Sequence, residues 1–182
     1  YVSPKGGYTP IDPHSLAMAD DTDWAWYQEK AFMNRLGSTL KPSQVNPDDY
    51  TAIYFAGGHG VIWDFPDNEA LQVISRKIYE NGGYVSSVCH GAAGLLNIRL
   101  SDGTLLVKGK KVTGFSNEEE KLAELDKHVP FLTETELVDR GAIYQKAAEP
   151  WAVFAVEDKR LISGQNPASG GAVAELLLRA LQ

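Results

Sequence analysis

The sequence predicts an α/β fold with a mostly parallel sheet, and three stretches carry this prediction. Residues 52–56 and 84–88 are short apolar runs rich in β-formers, and residues 67–81 between them place apolar side chains at helical spacing. Strands that alternate with helices are typical of parallel sheets, whose ligands bind beyond the carboxyl ends of the strands. The first run leads into Gly57 and the second into Cys89, so we expect these residues to face one another.

The segment before the first strand is expected to be rich in turns. Asp12-Pro13 favours a helix start, and the apolar spacing of residues 24–36 indicates a helix that Gly37 would end. After the first strand, Gly57-Gly58-His59-Gly60 forms a glycine turn that lets backbone N–H groups point at a ligand.

The second half of the chain is expected to complete the sheet. Gly109 favours a hairpin turn between residues 105–107 and 111–113, and Ser116 or Asn117 is suited to cap a helix whose first turn is acidic. The remaining predicted elements are a helix, two strands around a turn and a closing helix, at residues 131–140, 151–156, 160–162 and 170–181.

Composition bounds the class of protein. The chain has 182 residues, which suits one domain over residues 1–182, and a net charge of −7, which argues against a nucleic-acid or anionic-membrane surface. No apolar run has the length of a membrane span. One cysteine and four dispersed histidines offer neither a disulfide framework nor a zinc cluster of familiar spacing. We therefore expect no metal, no cofactor and a reducing, cytoplasmic setting.

Cys89 is the candidate nucleophile. The pattern Ser87-x-Cys89-x-Gly91, between a strand and a helix-compatible stretch, is the thiol version of a nucleophile elbow. His90 follows directly, and imidazole is the usual partner of a catalytic thiol. A helix N-terminus would lower the thiol pKa, so we expect an accessible, oxidation-prone thiolate. The alternative is a small buried cysteine that serves only packing.

Four ordered stretches carry a family likeness: residues 56–60, 86–91, 112–120 and 163–169. Together they resemble the PfpI / Parkinson disease protein superfamily, which is related to the class I glutamine amidotransferases. Within it, residues 4–15 and the Cys-His pair are similar to the heat-shock-chaperone branch, which includes glutathione-independent glyoxalases. The downstream His-x-Glu pair of the amidotransferases proper is absent, so glutaminase activity is not expected.

The resemblance implies a flavodoxin-like three-layer sandwich, a homodimer and a set of site residues. In the catalytic triad it implies, Cys89 is the nucleophile, His90 the base or acid, and Glu120 the acid, with Glu119 as second choice. The resemblance also implies an oxyanion and substrate-binding site, for which the candidates are Gly57, Gly58, His59 and the backbone amide of His90.

The activity implied by the resemblance is conversion of 2-oxoaldehydes such as methylglyoxal to 2-hydroxy acids without glutathione. Two alternatives stay open. A holdase chaperone or stress-response protein would use an apolar patch of Trp24, Trp26, Tyr27 and Phe65. A cysteine peptidase or amidase would use the same triad on another substrate.

The resemblance also implies more chain before Tyr1. Superfamily members carry a strand, a helix and most of a second strand there, with a glutamate that approaches the cysteine sulfur. We expect about 40 further residues, the length that a strand–helix–strand unit needs. Within residues 1–182, the strand before Cys89 is expected to lack a neighbour on one side.

Overall fold

The computed structural model describes residues 1–182, and the chain forms two compact units, Tyr1–Asn46 and Pro47–Gln182. The single-domain organisation expected from length stays a prediction. None of the helices is both long and apolar enough to cross a bilayer.

The first unit contains three short α-helices: α1 (Pro13–Ala17), α2 (Asp21–Gln28) and α3 (Lys30–Gly37). Asp12 caps α1 as its sequence predicts, by accepting from the backbone N–H groups of His14 and Ser15. The single helix predicted over residues 24–36 is wrong. Glu29 has an extended backbone that ends α2, and its carboxylate caps α3 by accepting from the Ala31 N–H.

Two aromatic residues of the predicted client-binding patch are exposed in this first unit. Trp24 and Trp26 keep 45% and 56% of their surface accessible. Phe65, in contrast, belongs to the second unit, where its ring packs edge-on against Phe55. The chaperone alternative therefore retains the tryptophans as its candidate surface in the first unit.

The second unit contains six strands and five α-helices. The strands are β1 (Ala52–Phe55), β2 (Tyr84–Val88), β3 (Lys111–Val112), β4 (Ile143–Tyr144), β5 (Ala155–Asp158) and β6 (Leu161–Gly164). The helices are α4 (Val61–Asp64), α5 (Glu69–Glu80), α6 (Asn117–Leu122), α7 (Thr133–Asp139) and α8 (Gly170–Ala180).

Four of the strands form the main sheet, in the order β1-β2-β6-β5. β2 is parallel to β1 and to β6, and β5 is antiparallel to β6. The predicted mixed α/β fold with a mainly parallel sheet is confirmed. The expectation that the strand before Cys89 lacks a neighbour is wrong, because β6 pairs with β2 in the register Val85 to Leu161.

The predicted hairpin around Gly109 is also wrong. β3 pairs in parallel with β4, and Leu105 bridges only to Arg99. Two successive turns occupy this segment, so the chain does not fold back as a hairpin. One turn is closed by Lys108 N–H donating to Leu105 O, and the next by Lys110 N–H donating to Val107 O. Burial of Leu106 and Val107 favours this path, since both side chains are fully enclosed.

The helix between β1 and β2 packs as its spacing predicts. Asn68 caps α5 by accepting from the Leu71 N–H, and Leu71, Ile74 and Ile78 are buried. At the other end of the chain, α8 buries Val173. These apolar faces cover the sheet and fix the carboxyl ends of β1 and β2 side by side.

A buried 3-10 helix, Cys89–Leu95, begins at the carboxyl end of β2 and lies against β1. The approach is possible because Gly91 has no side chain. A Cβ at this position would lie 2.2 Å from the carbonyl oxygen of Phe55. The glycine thus permits the backbone to place Cys89 at the end of the sheet.

We expect Gly91→Ala to lower the free energy of unfolding by about 1–3 kcal/mol, since the new methyl group would overlap backbone that cannot rotate away. Gly171→Ala is the matched control, because a Cβ there meets nothing within 4 Å. In α8 that change should be neutral or stabilise by up to about 1 kcal/mol. Urea unfolding measures both, and equal stabilities of the two variants would contradict the packing argument.

Candidate active site

Cys89 sits in a strained backbone conformation directly after β2. Its φ is +57°, a left-handed value that residues with a side chain rarely adopt. The turn after β1 lies against it: a Cβ on Gly57 would come within 2.8 Å of the Cys89 Cβ. Only 5% of Cys89 is exposed. The cysteine is therefore held on a sharp strand-to-helix turn and enclosed by the neighbouring glycine loop.

The surroundings of the Cys89 thiol favour its protonated form. Burial raises the pKa of the Cys89 thiol to about 12, although hydrogen bonds from the backbone N–H groups of His90 and Gly58 act to lower it. Negative charge on Glu119 and Glu120 adds to the upward shift. The expectation of an accessible thiol is wrong, because only 5% of Cys89 is exposed, and this loss of solvent outweighs the two N–H donors in its effect on the pKa. A nucleophile here needs a base to remove its proton.

His90 is placed to be that base. Its Nδ1 lies 3.4 Å from Cys89 Sγ, and its Nε2 lies 2.7 Å from Glu120 Oε2. Burial lowers the pKa of His90, against the opposing effect of the Glu120 hydrogen bond, so the imidazole is neutral at rest. A neutral imidazole has one N–H and one lone pair, and its partners decide which nitrogen carries the proton.

Glu120 decides the tautomer. Burial acts to raise the pKa of Glu120, but hydrogen bonds from His59 and His90 outweigh it and hold the pKa at about 2. The ionised carboxylate only accepts hydrogen bonds, so His90 must carry its proton on Nε2. The Nδ1 lone pair of His90 then faces the thiol.

His59 is a second imidazole on the same carboxylate. Its Nε2 lies 2.7 Å from Glu120 Oε1, and its ring centroid is 4.0 Å from that of His90. The side chain of His59 is 34% exposed, whereas those of His90 and Glu120 are 1% and 2% exposed. Glu120 thus joins one buried and one partly exposed histidine.

Phe115 forms an apolar wall that the sequence reasoning did not assign. Its ring centroid lies 4.2 Å from that of His90 and 5.6 Å from that of Trp151. Phe115 also clusters with Val88 and Cys89 in the buried core. Phe115 lies in residues 112–120, one of the stretches with the family likeness, and this is the sequence feature that could have identified it as part of the site. The ring of Phe115 thus covers one side of the His90 imidazole.

Glu119 makes no hydrogen bond to the two histidines that Glu120 binds, and its hydrogen-bond partners are different. Its carboxylate accepts hydrogen bonds from the N–H and hydroxyl of Ser116, the N–H of Trp151, and the amides of Gln165 and Asn166. Burial acts to raise the pKa of Glu119, and these bonds lower it below the usual value. Glu119 therefore ties the start of α6 to the segments around Trp151 and after β6.

The structure brings together all six residues proposed from the sequence. They are Gly57, Gly58, His59, Cys89, His90 and Glu120. His90 bonds to Glu120, and Glu119 makes its hydrogen bonds elsewhere. Gln165 and Asn166 lie in residues 163–169, one of the four stretches with the family likeness, but no sequence pattern indicates their contact with Glu119.

The donor atoms of His59, His90 and Glu120 lie within 4.8 Å of one another, as a metal site would require. The two nitrogen-to-oxygen distances of 2.7 Å are those of charge-assisted hydrogen bonds. Ligands around one tetrahedral zinc ion would stand about 3.3 Å apart. The spacing therefore fits a proton-carrying network, in which each carboxylate oxygen serves one histidine.

We expect Glu119→Gln to lower the free energy of unfolding at neutral pH by at least about 2 kcal/mol, because charged hydrogen bonds are replaced by mismatched amide contacts. The depressed pKa of Glu119 stabilises the fold above the usual Glu pKa, about 4.3, and this stabilisation is lost as pH falls through the folded pKa. The difference between wild type and variant should therefore shrink in acid.

Glu118→Gln is the control, since Glu118 is exposed on the same helix. Its free energy of unfolding should stay within about 0.5 kcal/mol of wild type. Urea unfolding between neutral and acid pH measures both variants. A Glu119→Gln protein as stable as wild type at neutral pH would contradict the assignment of Glu119 as a structural tie.

Comparison with known proteins gives a consistent picture. A family model described as the DJ-1/PfpI family matches residues 28–180. The chain is 35% identical over 194 residues to the glutathione-independent glyoxalase HSP31 of Saccharomyces cerevisiae, covering 100% of this chain and 80% of that protein. It is 36% identical over 152 residues to Glyoxalase 3 of Candida albicans, covering 81% of this chain and 64% of that protein.

Solved structures agree. The Rapid Encystment Protein 24 KDa of Francisella tularensis has a TM-score of 0.94 and 38% identity, over 100% of this chain and 80% of that one. Glyoxalase III of Candida albicans has a TM-score of 0.85 and 32% identity, over 94% of this chain and 75% of that one. The first of these likenesses includes the sheet and the candidate site, since it covers the whole chain.

Proposed function

This chain belongs to the DJ-1/PfpI family, and we propose that it converts 2-oxoaldehydes such as methylglyoxal to 2-hydroxy acids without glutathione. The observation that carries the proposal is the buried hydrogen-bonded line from Cys89 through His90 to Glu120. Relatives named as glutathione-independent glyoxalases support the substrate class.

The first step is addition of sulfur to the aldehyde carbon. His90 Nδ1 takes the thiol proton as the carbon–sulfur bond forms, because the thiol with a pKa of about 12 does not ionise alone. The aldehyde oxygen becomes an alkoxide, which the N–H groups of Gly58 and His90 stabilise beside the sulfur. The His90 imidazolium then protonates this oxygen, and the product is a hemithioacetal.

The second step moves a proton between adjacent carbons. The aldehyde carbon loses its proton and the neighbouring carbonyl carbon gains one, through an enediol, so the first carbon is oxidised and the second reduced. The result is a thioester of Cys89. Water then attacks this thioester, releases the 2-hydroxy acid and returns the thiol. No external oxidant or reductant enters the balance.

We further propose that the protein acts as a homodimer in the cytoplasm. The homodimer is what the family resemblance implies. A single cysteine without a disulfide partner fits a reducing compartment. Size-exclusion chromatography with light scattering measures the mass of the protein in solution. A monomer mass at micromolar concentration would contradict the dimer.

The test of the activity is lactate release from methylglyoxal with no added thiol. We expect Cys89→Ser to abolish release, because the alcohol is a weaker nucleophile, and Glu120→Gln to reduce kcat at least about tenfold, because the amide no longer fixes the His90 tautomer. Glu118→Gln should keep the wild-type rate. Wild-type protein that consumes no methylglyoxal, or Cys89→Ser protein that releases lactate normally, would contradict the proposed function.

A further inference from the structure

The reaction requires proton transfer at two different kinds of atom. One proton leaves sulfur and reaches oxygen during addition, and another leaves carbon during the rearrangement. A base must lie within hydrogen-bond reach of each proton it takes. His90 Nδ1 faces the sulfur at 3.4 Å, and its ring is held in that direction by Glu120 at Nε2 and by Phe115 against one face.

His59 makes the same contact with Glu120 as His90 does. The ionised Glu120 accepts from His59 Nε2 at 2.7 Å, so this nitrogen carries the proton and Nδ1 keeps a lone pair. A carboxylate bonded to one nitrogen of an imidazole stabilises the imidazolium that forms when the other nitrogen takes a proton. Glu120 therefore prepares two bases, and only one of them contacts the thiol.

His59 also lies where an adduct extends. It follows Gly58, whose N–H hydrogen-bonds the Cys89 sulfur, and its ring stacks beside that of His90 at 4.0 Å. At 34% side-chain exposure it is the solvent-facing member of the network, whereas His90 and Glu120 are enclosed. Among these three side chains, His59 is therefore the one that a substrate from solvent can reach most directly.

We propose that His59 is the second general base of this site: it takes the carbon-bound proton of the hemithioacetal on Nδ1 and returns it to the neighbouring carbon, whereas His90 acts in the preceding addition of the thiol. The carbon–hydrogen bond breaks and its electron pair forms the double bond of the enediol, while the π pair of the neighbouring carbonyl moves onto its oxygen. The proton on His59 then forms the new carbon–hydrogen bond. The first hydroxyl becomes the thioester carbonyl as its proton passes to the neighbouring oxygen. No proton is lost from the site in this exchange. The inference rests on the proposed function.

His59→Gln tests this directly, since the glutamine amide can still donate to Glu120 but cannot take a proton from carbon. We expect kcat for lactate release to fall at least about 100-fold. Alkylation of Cys89 by iodoacetamide should stay within about twofold of wild type, because His90 still serves the thiol. With methylglyoxal deuterated at the aldehyde carbon, the isotope effect on kcat should be larger than in wild type.

His59→Ala provides a second test, in which rescue by added imidazole also shows that the variant is folded. Free imidazole should restore lactate release to His59→Ala in a saturable manner, and should not restore His59→Gln, where the amide fills the space. His128→Gln is the control, because His128 is exposed on another segment and should leave both lactate release and alkylation unchanged.

The outcomes separate the two claims. Lactate release by wild type together with near-normal kcat and an unchanged isotope effect in His59→Gln would overturn the role of His59 and leave the proposed function standing. Loss of alkylation in parallel with lactate release would also overturn it, since His59 would then act through the thiol. Absence of lactate release by wild type would overturn both claims.

Discussion

The chemistry of this site depends on the buried carboxylate of Glu120. An ionised carboxylate away from water is costly unless hydrogen-bond donors compensate its charge. Here each oxygen receives one imidazole N–H, from His59 and from His90, at 2.7 Å. The same two bonds that make the buried charge tolerable fix both imidazole tautomers. The need to satisfy one carboxylate thus orients the base that faces the thiol.

The position of Glu120 depends on the adjacent glutamate, Glu119, whose role is structural. Neighbouring positions on a helix point about 100° apart, so Glu119 and Glu120 face different surroundings from the first turn of α6. Glu119 binds Ser116, Gln165 and Asn166 and holds the loops together, while Glu120 faces the histidines. On the opposite side, small residues at Gly57 and Gly91 let β1 and the cysteine turn approach one another.

Sequence patterns predicted the parts of this structure that depend on local order. Residues 84–88, the apolar face of α5 and the position of Cys89 at a strand end follow from periodicity and turn residues. The hairpin at Gly109 failed because β3 pairs with a strand about thirty residues away, a non-local choice that no local pattern encodes. The pairing of β2 with β6 was missed for the same reason.

The electrostatics of the site were the least predictable part. The elbow pattern favoured a thiolate, but the pKa of Cys89 depends on how much solvent the fold removes, and burial outweighs the two backbone donors. Likewise His59 and His90 are 31 residues apart in the chain and meet only because β1 and β2 are adjacent strands. The sequence patterns identified the residues of the site, but their protonation depends on contacts that only the three-dimensional structure shows.

The central claim is that Cys89 rests as a neutral thiol and is activated by His90, and the ionisation of the thiol itself tests it most directly. Thiolate formation is followed by ultraviolet difference absorbance between wild type and Cys89→Ser, titrated from about pH 6 to about pH 10, a range that brackets the usual cysteine pKa of about 8.5. Since burial raises the pKa of Cys89 to about 12, we expect no ionisation step over this range. A thiolate signal with a midpoint below about pH 7, as in cysteines activated by lowered pKa, would contradict the account.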